Sequence, residues 1–472
     1  MYVEQLFTGC LAEMAYYIES NGEAAIIDPL RETTPYIEMA HHRGAKIKYV
    51  FLTHFHADFV SGHLDLAKKT GATIVFGPNA QTKFEIHSGK DGEEFPIGDI
   101  KIKLLHTPGH TMESSSYLLI NSKGETPYVF TGDALFIGDV GRPDLAVKSD
   151  LTEADLAGHL YDSLRNKLMV LPDETIVYPA HGAGSACGKN MSKETYDTLG
   201  HQKETNYALR ANMTKEEFIK EVTTGLVTPP QYFPKNVGMN QGVNKSYDDI
   251  LTDANRPLSV DEFKSIREKE NALVMDVRHQ HNFMKEHIKG SLFFGLDGGF
   301  APWVGTLIED LNTPILLVVP EGREEEAITR LSRVGYDNVK GYLDGGIKAW
   351  EQAGEEVDAI LNMTPKEFAD ALAEHHVDIL DVRKNSEYYS EHIIHDGVIN
   401  SCLDRINEGY QDLDKNKEYH VHCAGGYRSV IAISILKSKG FTNLVNIDEG
   451  FKGIKACEKI QTSAYVCPTT ML

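Results

Sequence analysis

The sequence predicts a multidomain α/β and α+β protein, in which a strand-rich first half precedes two related α/β domains. Three observations carry that prediction. The chain has 472 residues, more than one hydrophobic core usually supports. Its first half alternates short β-branched or aromatic runs with turns that end in histidine or aspartate. Its second half contains one pattern of about a hundred residues twice over. The expected organisation is a first domain at residues 1–240, a linker at 241–256, and two further domains at 257–358 and 359–472.

Composition narrows the function before any motif does. With 41% hydrophobic and 25% charged residues the chain is an ordinary globular protein. Its 69 acidic and 47 basic residues leave a net charge of −22, which repels phosphate backbones and anionic lipid. Nucleic-acid and membrane partners are therefore not expected. No apolar run approaches the ~20 residues needed to span a bilayer. The first residues lack a basic start and apolar core, so a cytoplasmic location is expected. Six cysteines without a C-x-x-C pair imply reduced thiols rather than a disulfide framework.

In the first half, strands are expected at residues 24–27, 49–52, 73–76, 100–105, 128–131 and 175–178. Four of them lead into ligand-type residues. T-H-F-H-A-D-F at residues 53–59 follows the second, H-T-P-G-H ending at His110 the fourth, T-G-D ending at Asp133 the fifth, and P-A-H-G with His181 the sixth. Imidazole and carboxylate recurring just past strand ends is how separate strands deliver side chains to one metal-binding cleft. Residues 228–234 are expected to close the domain in extended form, and 235–256, rich in Asn, Gly and Asp, to link it onward.

These motifs resemble the metallo-β-lactamase fold, whose T-H-x-H-x-D-H signature is met here except at the last position, Phe59. The resemblance implies an αββα sandwich. In hydrolytic members the closing histidine helps to hold a second metal, and an apolar ring cannot donate a lone pair. Within the fold the chain is most similar to the persulfide dioxygenases. That similarity implies one ferrous iron in the first domain on His54, His110 and Asp133, no nucleotide cofactor, and His56, Asp58 and His181 orienting the ligands or nearby water. Arg142, in G-R-P-D, either holds an anionic group of the substrate or pairs with Asp144. Cys187, in the small-residue run G-A-G-S-A-C-G, is either an inert filler or an accessible persulfide carrier beside the cleft.

The repeat in the second half is explicit. D-V-R at 276–278 recurs at 381–383, and E-H-I at 286–288 recurs at 391–393, both at an interval of 105 and without gaps. Apolar strand-like runs at 273–275, 315–319, 377–380 and 419–421 alternate with helical patterns at 325–334 and 429–439, which argues for open parallel sheets. In the second copy C-A-G-G-Y-R-S begins at Cys423, where amides at a helix start, together with Arg428, can hold a thiolate and then a persulfide. This resembles the six-residue loop of rhodanese sulfurtransferases. Shifting back by 105 places Val318 where Cys423 stands and Arg323 where Arg428 stands, so the first copy is expected to be an inactive rhodanese-like domain, a spacer or docking surface. Cys402, Cys457 and Cys467 carry no motif.

Together the resemblances imply iron-dependent oxidation of a low-molecular-weight thiol persulfide by dioxygen to sulfite, with sulfur transfer from Cys423 to sulfite giving thiosulfate. The alternatives are a metal-dependent thioester hydrolase of the glyoxalase II type and a non-catalytic sulfur carrier. A symmetric homo-oligomer is the default expectation.

Overall fold

Alternation along the strands decides how the first half packs, because successive side chains point to opposite faces of a sheet. Two six-stranded sheets result. One orders Tyr2–Thr8, Glu13–Ser20, Glu23–Ile27, Lys46–Phe51, Thr73–Phe76 and His87–Ser88 side by side. The other orders Asp197–Thr198, Ile176–Pro179, Tyr128–Gly132, Ser115–Ile120, Ile100–His106 and Glu94–Ile97. Met14, Tyr16 and Ile18 of the first sheet meet Ile102, Leu104, Tyr117 and Phe130 of the second in a shared core. Their neighbours Ala15 and Tyr17 pack instead with Tyr36 and Leu66, from the helices Thr34–His42 and His63–Thr70. On the far side Leu118, Val129 and Val177 pack with Ala157, Leu160 and Phe218, from Glu153–Ser163 and Lys215–Thr223. The layers are therefore helix, sheet, sheet, helix.

The computed structural model describes residues 1–147 and 150–467. They divide into two units, one from Met1–Asp248 with Ser332–Gly335, the other from Asp249–Leu331 with the described residues that follow Gly335. The stretch expected to be an extended closure and linker is largely helical: Phe233–Gln241 and Tyr247–Ala254 are α-helices. Pro234 suits a first helical turn, where no intrahelical N–H bond is lost. Tyr247, Ile250 and Ala254 lie on one helical stripe and are buried, a pattern masked by the polar composition around them. Among the described residues no helix is long and apolar enough to cross a membrane.

Each half of the second unit is a five-stranded parallel sheet with the same order. The first copy runs Pro257–Leu258, Val339–Leu343, Ile315–Val318, Leu273–Asp276, Leu292–Phe293. The second runs Leu361–Met363, Leu444–Ile447, Tyr419–His422, Asp378–Asp381, Val398–Asn400. The repeated motifs have one structural cause. Asp276 and Asp381 each pair with the arginine two residues on, at 2.7 and 2.6 Å, and those arginines also donate to the carbonyls of Glu286 and Glu391. One buried brace thus ties D-V-R to E-H-I in both copies.

The repeat is not gapless. Asp276 lies opposite Val318 and Asp381 opposite His422, and 422 minus 318 is 104. Gly322 and Gly426 share a left-handed conformation (φ 81° and 90°) at that interval, and the following helices start at Glu324 and Arg428. The counterpart of Cys423 is therefore Val319 rather than Val318, and that of Arg428 is Glu324 rather than Arg323. The first copy's helix, Glu324–Arg333, is one residue shorter than Arg428–Ser438, which restores the interval of 105 further on. Val319 is aliphatic, so the corrected register also leaves the first copy without a nucleophile.

Candidate metal centre and sulfur-transfer loop

Parallel neighbours end together, and that brings distant residues to one place. Tyr128–Gly132 and Ile176–Pro179 are adjacent parallel strands, so Asp133 and His181 emerge side by side, with His181 Nδ1 2.7 Å from Asp133 Oδ1. Glu23–Ile27 and Lys46–Phe51 are another such pair, which sets Asp28 beside Thr53. Thr53 donates to Asp28 through both its amide (2.8 Å) and its hydroxyl (2.7 Å). With its proton committed, Thr53 Oγ1 accepts from His54 Nδ1 at 2.9 Å. His110 Nδ1 likewise donates to the Arg142 carbonyl oxygen at 2.9 Å. Both imidazoles are thereby left with an Nε2 lone pair facing the cleft.

What those lone pairs face is Asp133 Oδ2, 3.6 Å from His54 Nε2 and 3.4 Å from His110 Nε2. All three side chains are buried, and Asp133 Oδ2 has no hydrogen-bond partner among the described residues. A buried carboxylate oxygen left unpaired is costly. Two imidazole nitrogens and one carboxylate oxygen within 4.8 Å of one another are a donor set that a divalent cation satisfies. The residues therefore fit a metal. Burial and the neighbouring His56 hold His54 well below the usual histidine range, so its imidazole stays neutral. Burial opposes ionisation of Asp133, but His181 and His54 outweigh it and keep the carboxylate ionised.

A second buried group lies alongside: His56, Asp58 and His181. His56 Nε2 sits 3.0 Å from Asp28 Oδ1, not aligned for a hydrogen bond, and its ring lies 4.3 Å from that of Phe59. His181 is held through Nδ1 by Asp133, and its Nε2 lies 2.9 Å from Asp58 Oδ2, again not aligned for a hydrogen bond. Burial works against its charge, but Asp133 and Asp58 outweigh that and hold it above the usual histidine range.

Of the two readings open for each, Arg142 takes the pairing with Asp144, and Cys187 is covered. The Arg142 guanidinium is buried, bound to Asp144 at 2.6 and 2.7 Å and donating to the carbonyls of Ala186 and Val227. It ties three loops together, while its own carbonyl fixes His110. Gly141 permits this arrangement, since an added Cβ would fall 1.9 Å from the Asp133 carbonyl oxygen. Cys187 reaches the cleft, its Sγ within 4.8 Å of ligand atoms of Asp133 and His181, but the expected accessibility is absent because the residue is buried. Burial, then Asp58 and Asp133, push its thiol well above the ordinary range. The small residues around it let the 182–188 loop fold over the cysteine rather than expose it.

Three contributors escape the motif reading. Asp28 follows the same strand-end rule and was legible in principle. Asn240 donates to the carbonyls of His56 and Phe59 at 2.8 Å and accepts from Ser61 N at 2.9 Å, clamping the metal loop from a helix nothing local announces. Glu13 is buried with both oxygens unpartnered among the described residues, in a backbone bridge opposite His181.

In the second unit Tyr419–His422 hands Cys423 to a tight loop and then to the helix Arg428–Ser438. The Gly426 amide donates to Cys423 Sγ at 3.1 Å, and Ser429 Oγ lies 3.6 Å from the same sulfur. Arg428 is present, but Glu387 holds its guanidinium at 2.7 and 2.8 Å, so the expected positive charge is shared with a carboxylate.

An αββα domain with a buried donor set that fits a metal, followed in the chain by a cysteine loop on a parallel sheet, defines the class. The Metallo-beta-lactamase superfamily model matches residues 8–181, and the Rhodanese-like domain model matches 259–353 and again 364–457. A cytoplasmic hydroxyacylglutathione hydrolase of Arabidopsis thaliana is 34% identical over 36% of this chain and 65% of its own length, so the match spans just under two thirds of that protein. The hydroxyacylglutathione hydrolase of Tolumonas auensis is 31% identical over 48% of this chain and 79% of its own. A crystal structure of a metallo-beta-lactamase from Staphylococcus aureus subsp. aureus COL aligns with 73% of this chain and 98% of that one, at 30% identity and a TM-score of 0.63. The chain belongs to the metallo-beta-lactamase superfamily, with two rhodanese-like domains following that fold.

Proposed function

We propose that the chain oxidises a low-molecular-weight thiol persulfide to sulfite at His54, His110 and Asp133, and passes sulfane sulfur through Cys423 to form thiosulfate. The observation that supports this most is the convergence of two imidazoles and one carboxylate beside Phe59, an apolar ring where a further ligand would be needed for a second metal. A ferrous ion held by these three residues would supply open positions and electrons for chemistry with dioxygen. The protein's own part is orientation: Asp28 and Thr53 aim His54, the Arg142 carbonyl aims His110, and His181 braces Asp133. Persulfide, dioxygen and water would give thiol, sulfite and two protons. At the second site the Cys423 thiolate would attack the outer sulfur of a persulfide, break the S–S bond and release the thiol with a proton. Sulfite would then take that sulfur from Cys423, forming thiosulfate and regenerating the thiolate. Tethering both sites in one chain raises the effective concentration of sulfite at the second. Cys187 is proposed as a carrier that works only when the 182–188 loop opens. A cytoplasmic setting suits the six free cysteines.

The His56, Asp58 and His181 group supports a second reading, a two-metal thioester hydrolase like the hydroxyacylglutathione hydrolases. Metal analysis with oxygen uptake separates the two. One iron per chain and oxygen consumption on glutathione or coenzyme A persulfide are expected. Two zinc ions, no oxygen uptake and hydrolysis of a hydroxyacylglutathione thioester would establish the hydrolase instead.

A further inference from the structure

The Cys423 loop is not held by its own domain alone. Tyr427, one residue beyond the amide that faces the sulfur, reaches into the first rhodanese-like copy. Its hydroxyl donates to the Gly295 carbonyl oxygen at 2.7 Å, and its ring meets that of Phe293 edge-on at 5.6 Å. The ring also lies so close to Gly298 that an added Cβ there would come within 2.3 Å of it. From the other side the Phe293 amide donates to Ser434 Oγ, on the helix that follows the loop, at 3.0 Å.

The receiving stretch is itself secured. Arg330 donates to the Leu296 carbonyl at 2.7 Å and Arg323 to the Asp297 carboxylate at 2.7 Å. By the corrected register Arg323 is the counterpart of Tyr427, since 427 minus 323 is 104. The loop positions of both copies therefore converge on residues 295–298.

We propose that the first copy is a working wall of the sulfur-transfer site: residues 293–298 seat Tyr427, and that seat keeps the Gly426 N–H aimed at Cys423 Sγ. Tyr427 is then a positioning residue, acting through Gly426 rather than on the sulfur itself. An amide stabilises a thiolate only while it points at it, and between Cys423 and the helix that starts at Arg428, itself tied to Glu387, Tyr427 is the one large side chain that can hold the loop's direction. The copy without a nucleophile is thereby neither a spacer nor a docking face but half of a composite site.

This inference rests on the sulfurtransferase reading, and the test keeps the two apart. In the full chain, Tyr427→Ala and Gly298→Val are each expected to slow thiosulfate formation and alkylation of Cys423 by iodoacetamide about tenfold, with KM for sulfite unchanged. Tyr427→Phe, which keeps the ring and loses one hydrogen bond, is expected to cost about fivefold. The double variant should be no slower than Tyr427→Ala alone, because both changes empty the same seat. Metal content of the first domain should not move. If wild type and Cys423→Ser transfer sulfur equally, the sulfurtransferase reading fails. If Cys423→Ser abolishes transfer while Tyr427→Ala and Gly298→Val run at wild-type speed, or their losses add, this inference alone is overturned.

Discussion

The two rhodanese-like copies share a sheet order and a buried Asp–Arg brace, yet differ at the end of one strand. In the second copy that strand delivers Cys423 to a loop whose Gly426 amide meets the sulfur at 3.1 Å. In the first it delivers Val319 to Pro320 and Glu321, and Arg323 turns to Glu326 and Asp297 instead. The difference shows what each feature is for. The brace persists in both because an unpaired buried charge would unfold either copy, whereas the chemistry needs one thiol and aimed amides and can be lost without harm to the fold.

The largest expected effect is on the chemistry. Cys423→Ser should lower thiosulfate formation at least ~1000-fold while oxygen uptake on persulfide continues, measured by ion chromatography beside an oxygen electrode. Adding Val319→Cys to that variant should restore nothing, because the counterpart of the Gly426 amide, the Gly322 N–H, is already given to Glu324 Oε1 at 3.1 Å. Recovery of transfer would show that a thiol alone makes this loop active.

The brace should behave oppositely, without regard to function. Asp276→Ala and Asp381→Ala are each expected to cost about 3–5 kcal/mol in urea denaturation, since each strands a buried arginine. Unequal losses would mean that the copies are not held by the same device.

A smaller contrast is expected with pH. Burial holds His287 of the first copy, and His420 and His422 of the second, below the ordinary histidine value of 6.5. Such groups bind protons more readily unfolded, so their stabilisation is present above about pH 6.5 and is lost as pH falls below it. Hydrogen exchange between pH 7 and 5 should therefore show the second copy loosening more than the first. The smallest effect belongs to Glu326→Gln in the first copy, whose partly exposed pairs with Arg323 and Arg330 should together be worth under ~1 kcal/mol by thermal unfolding.

Much of this architecture was legible in the residues. All six strands expected in the first half overlap paired strands, with ends that agree to within one residue except that Lys46–Phe51 begins three residues early, because β-branched runs bounded by turn residues report a local preference. Tyr2–Thr8 and Ser115–Ile120 were not legible, since polar and small residues interrupt their apolar character. The helices within residues 233–254 were obscured in the same way, by Gly238, Asp248 and Asp249 on exposed sides and by Asn236 and Asn240, polar residues that are buried.

The sequence by itself determined which residue types stand at strand ends, that one copy has a cysteine loop and the other does not, and that Phe59 replaces a ligand. Each is a property of a short stretch and needs no partner. Tertiary structure decided the rest: that His54, His110 and Asp133 share one point, that Arg142 is spent on Asp144, that Cys187 is covered, and that Tyr427 leans on the other copy. Those depend on how strands far apart in the chain pair and how loops close over them. Packing also set the register between the copies at 104 rather than 105, because compensating length changes between braced elements leave the motif interval intact while shifting the loop by one residue.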